Sequence, residues 1–137
     1  MAKRDGQGIK REKGEAMKQT EEWNTAKSRI ENQIKELRHR LHTCPEISGQ
    51  ERKTKAALKQ FLEESTNLEL HDCGGGFYAV YRSSTADSAK KGVAFRADYD
   101  ALALPEGVAA HLCGHDGHAS ALCGAALLLA EADEQCR

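Results

Sequence analysis

An α/β domain, with helices layered on a small parallel or mixed sheet, is the fold class this sequence predicts. Three observations carry it. Between Thr20 and Ser65 apolar residues recur at three- and four-residue steps, the period of amphipathic helices. From Leu68 to Phe95 the pattern shortens to alternation and to runs of strand formers, punctuated by glycine. A small-residue helix over about 118–133 then closes the order helix, helix, strand, strand, strand, loop, helix.

The elements follow in order. Residues 1–19 are rich in Lys, Arg, Glu and Gly and almost free of apolar side chains, so burial cannot offset their ordering entropy and a disordered charged tail is expected. The folded part is expected to be 20–137. Thr20 suits an N-cap, with Glu21 and Glu22 in the first turn. Trp23, Ala26, Ile30, Ile34, Leu37 and Leu41 then form one stripe until Pro45 stops the helix. His39 and His42 read as surface histidines among arginines. Ser48-Gly49-Gln50-Glu51 reads as a capping box that opens a second helix, with Ala57, Leu58, Phe61 and Leu62 on one face and an end near Ser65.

Leu68 and Leu70 alternate with polar residues, Gly74-Gly75-Gly76 breaks the chain, and Phe77–Tyr81 is rich in strand formers. The triple glycine lacks the following Lys and helix of a phosphate loop, so it reads as a turn. After a polar loop over 83–91, Val93-Ala94-Phe95 makes a short strand that ends in Arg96-Ala97-Asp98-Tyr99-Asp100. The last helix carries Ala121, Leu122, Ala125, Leu128 and Leu129 at helical spacing, and its alanines with Gly124 suit close packing.

Composition bounds the function. The 137 residues suffice for one domain with a modest core. Lys plus Arg total 20 against 21 Asp plus Glu, so a net charge of -1 gives no footprint for nucleic acid or an acidic membrane surface. No apolar run approaches the roughly 20 residues that span a bilayer. The N-terminus lacks the apolar core of a secretory signal. A cytoplasmic protein is expected, in which the five cysteines (44, 73, 113, 123 and 136) are thiols or ligands rather than disulfides.

The chemistry concentrates in Ala110–His118, where nine positions hold His111, His115, His118, Cys113 and Asp116. These are side chains that bind metal once neutral or deprotonated. Gly114 and Gly117 let the backbone turn so that Cys113 and His115, two residues apart, can reach one point. Asp98 and Asp100 sit where a buried strand should emerge, the edge at which open α/β sheets bind ligands. In extended chain both can face one side while Tyr99 points away. Thiolate, imidazole and carboxylate together favour zinc, manganese or another borderline divalent ion over calcium or magnesium. The residues alone also allow a glycine-rich connector with solvent-facing histidines and a buried Cys113. Asp116 and His118 can cap the following helix or hold a ligand from behind. His71 and Cys73 form a second His-x-Cys pair in a turn with no acidic strand end, where a structural thiol is expected. Cys123 and Cys136 read as core or surface thiols. A Cys113–His nucleophile pair is poorly served by a two-residue spacing.

Three phrases, Leu41-His42-Thr43-Cys44-Pro45-Glu46-Ile47-Ser48, Phe95-Arg96-Ala97-Asp98-Tyr99-Asp100-Ala101-Leu102 and Cys113-Gly114-His115-Asp116-Gly117-His118 before Gly124-Ala125-Ala126, occur in this order in one family. Over about residues 25–132 the chain resembles the amidohydrolase branch of the aminoacylase and carboxypeptidase metallopeptidases, which includes hippurate hydrolases and indole-acetyl-amino-acid hydrolases. The resemblance implies part of a zinc-peptidase-like catalytic domain without its lid domain. It implies a two-metal hydrolase (zinc or manganese) of N-acyl amino acids or related peptides and amides. Cys113 and His115 would be metal ligands, and Asp100 would serve catalysis by orienting a metal-bound imidazole. The partner implied is a small substrate, and homo-oligomerisation is compatible with it. A non-catalytic remnant that binds metal or a partner is the alternative.

The departures matter. Family members run to several hundred residues, so the catalytic glutamate pair, further Glu and His ligands and the lid are expected beyond Arg137, and the isolated chain is expected to be weak or inactive. Glu131 and Glu134 do not match the glutamate motif. The connector from Pro105 to His111 is shorter than usual. Tyr99 stands for the usual Met and Leu112 for the usual Ala, changes that leave the ligands but crowd the pocket.

Overall fold

Two helices frame the computed structural model, which describes residues 6–83 and 91–135, with side chains from Met17 onward and short of Glu134. Helix α1 spans Gly6–His42 and packs chiefly against α3, His115–Gln135. Helix α2, Arg52–Ser65, closes the third side. The apolar stripe of α1 faces inward as its spacing requires: Ala26, Ile30, Leu37 and Leu41 are buried. On α2 the buried apolar residues are Leu58 and Leu62. Ile30, Leu37, Leu41, Leu58 and Leu62 meet Ala119, Cys123 and Leu127 of α3 in one cluster, with Phe61, Leu70, Phe77 and Tyr99 against its margin.

The helix starts correct the sequence reading. α1 is helical from Gly6, so Thr20 lies inside it and the charged stretch expected as a disordered tail continues the helix from that point. Nucleation is the costly step of helix formation, and Lys, Glu, Ala, Met and Gln extend a helix already nucleated by packing. Residues 1–5 of that tail, most of the polar loop and Cys136 lie outside the described residues.

The capping box is also not the cap. Glu51 occupies the N-cap position of α2 without a side-chain bond. Gly49 (φ 84°) instead shapes a turn closed by the Gln50 N–H donating to the Ile47 carbonyl at 3.0 Å. The capping anion is Glu46, whose carboxylate accepts from the Thr54 N–H and hydroxyl, both at 2.8 Å, and from the Lys53 N–H at 3.2 Å. A carboxylate serves there because the first turn of a helix leaves N–H groups unpaired at its positive end.

Strands β1 (Glu69–Cys73) and β2 (Gly76–Val80) form an antiparallel hairpin whose two-residue turn is Gly74-Gly75, as the glycines predict. His71 and Cys73 thus lie on a strand, exposed, rather than in a turn. Strands β3 (Leu102–Ala103) and β4 (Ala109–Ala110) make a second small antiparallel pair around a 3-10 turn at Pro105–Gly107. The parallel component is a single bridge, Ile47 to Ala101. The molecule is therefore a partial α/β domain of three helices and two small sheets. The strand expected at Val93–Phe95 joins no ladder among the described residues, and it leaves Val93 81% and Phe95 74% exposed. Alternation marks residues fit for a strand; a strand also needs a neighbour.

α3 buries a different face from the one its leucines suggest. Asp116, Ala119, Ser120, Cys123, Gly124 and Leu127 are buried, whereas Ala121, Ala125 and Leu129 are exposed. A helix apolar all round carries no stripe to read. Small residues decide the face, because α1 comes close enough that a Cβ on Gly124 would stand 3.1 Å from Ile34 Cγ1. No helix among the described residues is long and apolar enough to cross a membrane.

Two outcomes test this packing. Leu58, 2% exposed, sits at the centre of the cluster; Leu58→Ala is expected to lower unfolding free energy by about 2–5 kcal/mol in urea titration. The Glu46 carboxyl is raised by burial, but hydrogen bonds from Thr54 and Lys53 outweigh that and hold it below its ordinary value. A folded-state pKa below the unfolded one adds stability that is complete above the ordinary carboxylate range and disappears as pH falls through the lowered value. Glu46→Gln is therefore expected to be less stable by about 1 kcal/mol near neutrality, the gap closing as pH falls through the lowered Glu46 value. A gap that stays constant with pH contradicts this assignment.

Candidate metal centre

The loop after α1 fixes the end of the Asp98–Asp100 segment. The Ala101 N–H donates to the Glu46 carbonyl at 2.7 Å, and Ala101 is buried. Tyr99 points away from the loop, as the extended chain predicts: its hydroxyl donates to the Gly75 carbonyl at 3.1 Å and its ring tilts on Phe77 with centroids 6.5 Å apart. Asp100 is thereby directed to α3, where its Oδ1 lies 2.7 Å from His115 Nδ1 and its carbonyl oxygen 3.2 Å from the same nitrogen. Two acceptors on Nδ1 place the proton there and leave Nε2 of the neutral ring as a lone-pair donor. Asp98 does not join: it pairs with Arg96 at 2.6 Å.

Gly114 makes the turn between Cys113 and His115. Its φ of 76° lies in the left-handed region, and its carbonyl accepts the His118 N–H at 3.0 Å, so it opens α3. Cys113 is exposed before the turn and His115 is half-buried after it. The exposed His118 ring lies 6.4 Å from that of His115, centroid to centroid. An exposed thiol and an imidazole oriented by a carboxylate suit zinc or manganese in donor chemistry. They are two donors. Among the described residues no group of three His, Cys, Asp or Glu is assembled to hold an ion.

The connector differs from a loop of solvent-facing histidines over a buried thiol. His111 is buried, 7% exposed, and Cys113 is exposed. Asp116 is 1% exposed, with Oδ2 accepting from His42 Nδ1 at 2.8 Å and standing 3.3 Å from Arg38 Nε. Burial raises the Asp116 carboxyl, yet hydrogen bonds from His42 and the Gly117 N–H, with His111 and Arg38 nearby, hold it below its ordinary value. Asp116 Oδ1 and both His111 ring nitrogens are buried with no hydrogen-bond partner among the described residues. His42 is exposed, as a surface histidine should be, and still reaches the buried Asp116. The one available signal was that Arg38 and His42, four apart, share a helical face.

The other sulfur sites carry no chemistry here. Cys73 is exposed on β1, while His71 stacks on Tyr78 with centroids 5.0 Å apart. Cys123 is buried in the core, and burial pushes its thiol up to about 12. Glu131 on α3 pairs with Arg29 of α1.

No protein-family model and no solved structure matches the chain. Curated proteins do. The chain is 34% identical over 114 residues to the N-acetyl-L-cysteine deacetylase of Bacillus subtilis, covering 76% of this chain and 27% of that protein. It is 33% identical over 110 residues to thermostable carboxypeptidase 1 of Saccharolobus solfataricus, 73% of this chain and 28% of that one. It is 31% identical over 112 residues to the hippurate hydrolase of Campylobacter jejuni, 74% and 28%.

The chain belongs to the amidohydrolase and peptidase family. This amidohydrolase-family chain spans a little over a quarter of the length of those relatives. Its thiols offer a direct check of the site's geometry. With iodoacetamide near pH 8, native chain is expected to label at Cys113 and Cys73 while Cys123 stays unmodified until urea unfolds it, as followed by peptide mass spectrometry. Fast native labelling of Cys123 contradicts the packing of α3.

Proposed function

We propose that these residues form the ligand-presenting part of a metal-dependent hydrolase acting on the amide bond of N-acyl amino acids or related small peptides. The observation that carries this reading is the 2.7 Å bond from Asp100 to His115 Nδ1, with exposed Cys113 on the other side of the Gly114 turn. The substrate class comes from relatives named for N-acetyl-L-cysteine deacetylation and hippurate hydrolysis. Cys113, as thiolate, and His115, through Nε2, would hold zinc or manganese. What a divalent pair supplies when bound is Lewis acidity toward the amide carbonyl.

The chain's own contribution is orientation. Asp100 fixes the His115 tautomer and raises the basicity of the free nitrogen. The Glu46 carbonyl fixes Asp100 through Ala101, and the Gly114 turn fixes the thiol relative to the ring. With two donors where zinc sites have three or four, weak metal binding and slow or no turnover are expected of this chain alone. A non-catalytic remnant that binds metal or a partner is the second reading, favoured by that two-donor set and by the open face at Val93 and Phe95.

Zinc and manganese uptake by equilibrium dialysis, alongside hydrolysis of N-acetyl and N-benzoyl amino acids, tests both. Uptake is expected to vanish in Cys113→Ala/His115→Ala and to weaken about 10–100-fold in Asp100→Ala. Uptake indifferent to the double substitution overturns the site. Metal-dependent hydrolysis by wild-type chain, however slow, favours the first reading over the second.

A further inference from the structure

The turn that presents Cys113 and His115 has little burial of its own. Leu112, Cys113 and Gly114 are exposed, and Leu112 is 70% so. Its two flanks are nevertheless anchored, and both anchors lead to one side chain at the end of α1. On the far side, Asp116 directly follows His115; its side chain is fully buried and accepts from His42 Nδ1 at 2.8 Å. On the near side, His111 lies two residues before Cys113, is buried, and stacks on the His42 ring with centroids 6.1 Å apart and planes 28° apart. Arg38, one turn earlier on α1, adds its Nε at 3.3 Å from the same Asp116 oxygen.

We infer that His42 is a positioning residue for the Cys113–His115 pair: a single imidazole holds both ends of the 111–116 turn, by a hydrogen bond at one end and a ring stack at the other. This inference rests on the metal reading above. Docking α1 onto α3 does not require it, because Ile30, Leu37 and Leu41 already pack against Ala119, Cys123 and Leu127. Side chains of α1 that are not ligands thus set the geometry of those that are. Such a role predicts a change in ligand geometry on top of the stability lost when the buried Asp116 carboxylate loses a partner.

The test is cobalt(II) titration of the full chain, reading the thiolate-to-cobalt charge-transfer band and the visible ligand-field bands, with thermal unfolding in parallel. His42→Ala is expected to bind cobalt about 10-fold more weakly, with altered ligand-field bands, and to unfold at a lower temperature because the buried Asp116 carboxylate loses a hydrogen bond. His42→Asn, whose amide can donate in place of Nδ1, is expected to recover part of the affinity, and it carries the comparison if the alanine variant unfolds. Wild-type affinity and spectra in both variants overturn the inference. If wild-type chain and Cys113→Ala/His115→Ala give the same spectra, the metal reading fails. Amide hydrogen exchange over 111–116 in metal-free protein then decides the clamp: exchange about 10-fold faster in His42→Ala upholds it, and unchanged exchange overturns it.

Discussion

The hydrogen bond between Asp100 and His115 joins the two halves of the candidate site across 15 residues of chain, and the surrounding structure is arranged to keep its partners in place. One partner ends an extended segment and the other opens a helix, so neither local structure alone could bring them together. The carboxylate settles which ring nitrogen carries the proton, and so which one is free to bind. The chemistry open to this site follows from that division of the imidazole into a held side and a free side.

Glu46 links this pair to the rest of the fold. Its side chain caps α2, and its carbonyl accepts the amide of Ala101, the residue after Asp100. Tyr99, the residue before Asp100, reaches the hairpin turn at Gly75. The aspartate is therefore flanked by two fixed points, one on the α1–α2 loop and one on the β1–β2 hairpin. On the opposite side, the packing of α1 against α3 sets where α3 begins, and its close approach at Gly124 allows that contact. The site is thus a meeting of three elements rather than a property of the Cys-Gly-His triplet.

The sequence made legible whatever depends on local pattern. The stripe of Ala26, Ile30, Leu37 and Leu41 and the hairpin glycines needed only spacing and residue type. Asp100 was assigned its orienting role from the family phrases, and it is found beside His115. What could not be read depends on partners distant in the chain. Glu46 displaces Ser48 as the cap of α2 because the intervening turn brings it back over the helix end. The inward face of α3 is chosen by the small residues that let α1 approach, and its leucines lie all around. Val93–Phe95 has a strand's composition, and its pairing depends on neighbours that its own residues do not specify. The stack of His42 on His111 could not be read either, because it joins residues on either side of the whole β region.

Family membership and geometry meet at one atom, Nε2 of His115. The most direct measurement is its tautomer, read from long-range proton–nitrogen correlation spectra of metal-free protein at a pH where the ring is neutral. The expected result is a proton on Nδ1 in wild-type chain and a loss of that preference in Asp100→Ala. A wild-type ring protonated on Nε2 would contradict the account, because the nitrogen offered to a ligand would then be occupied.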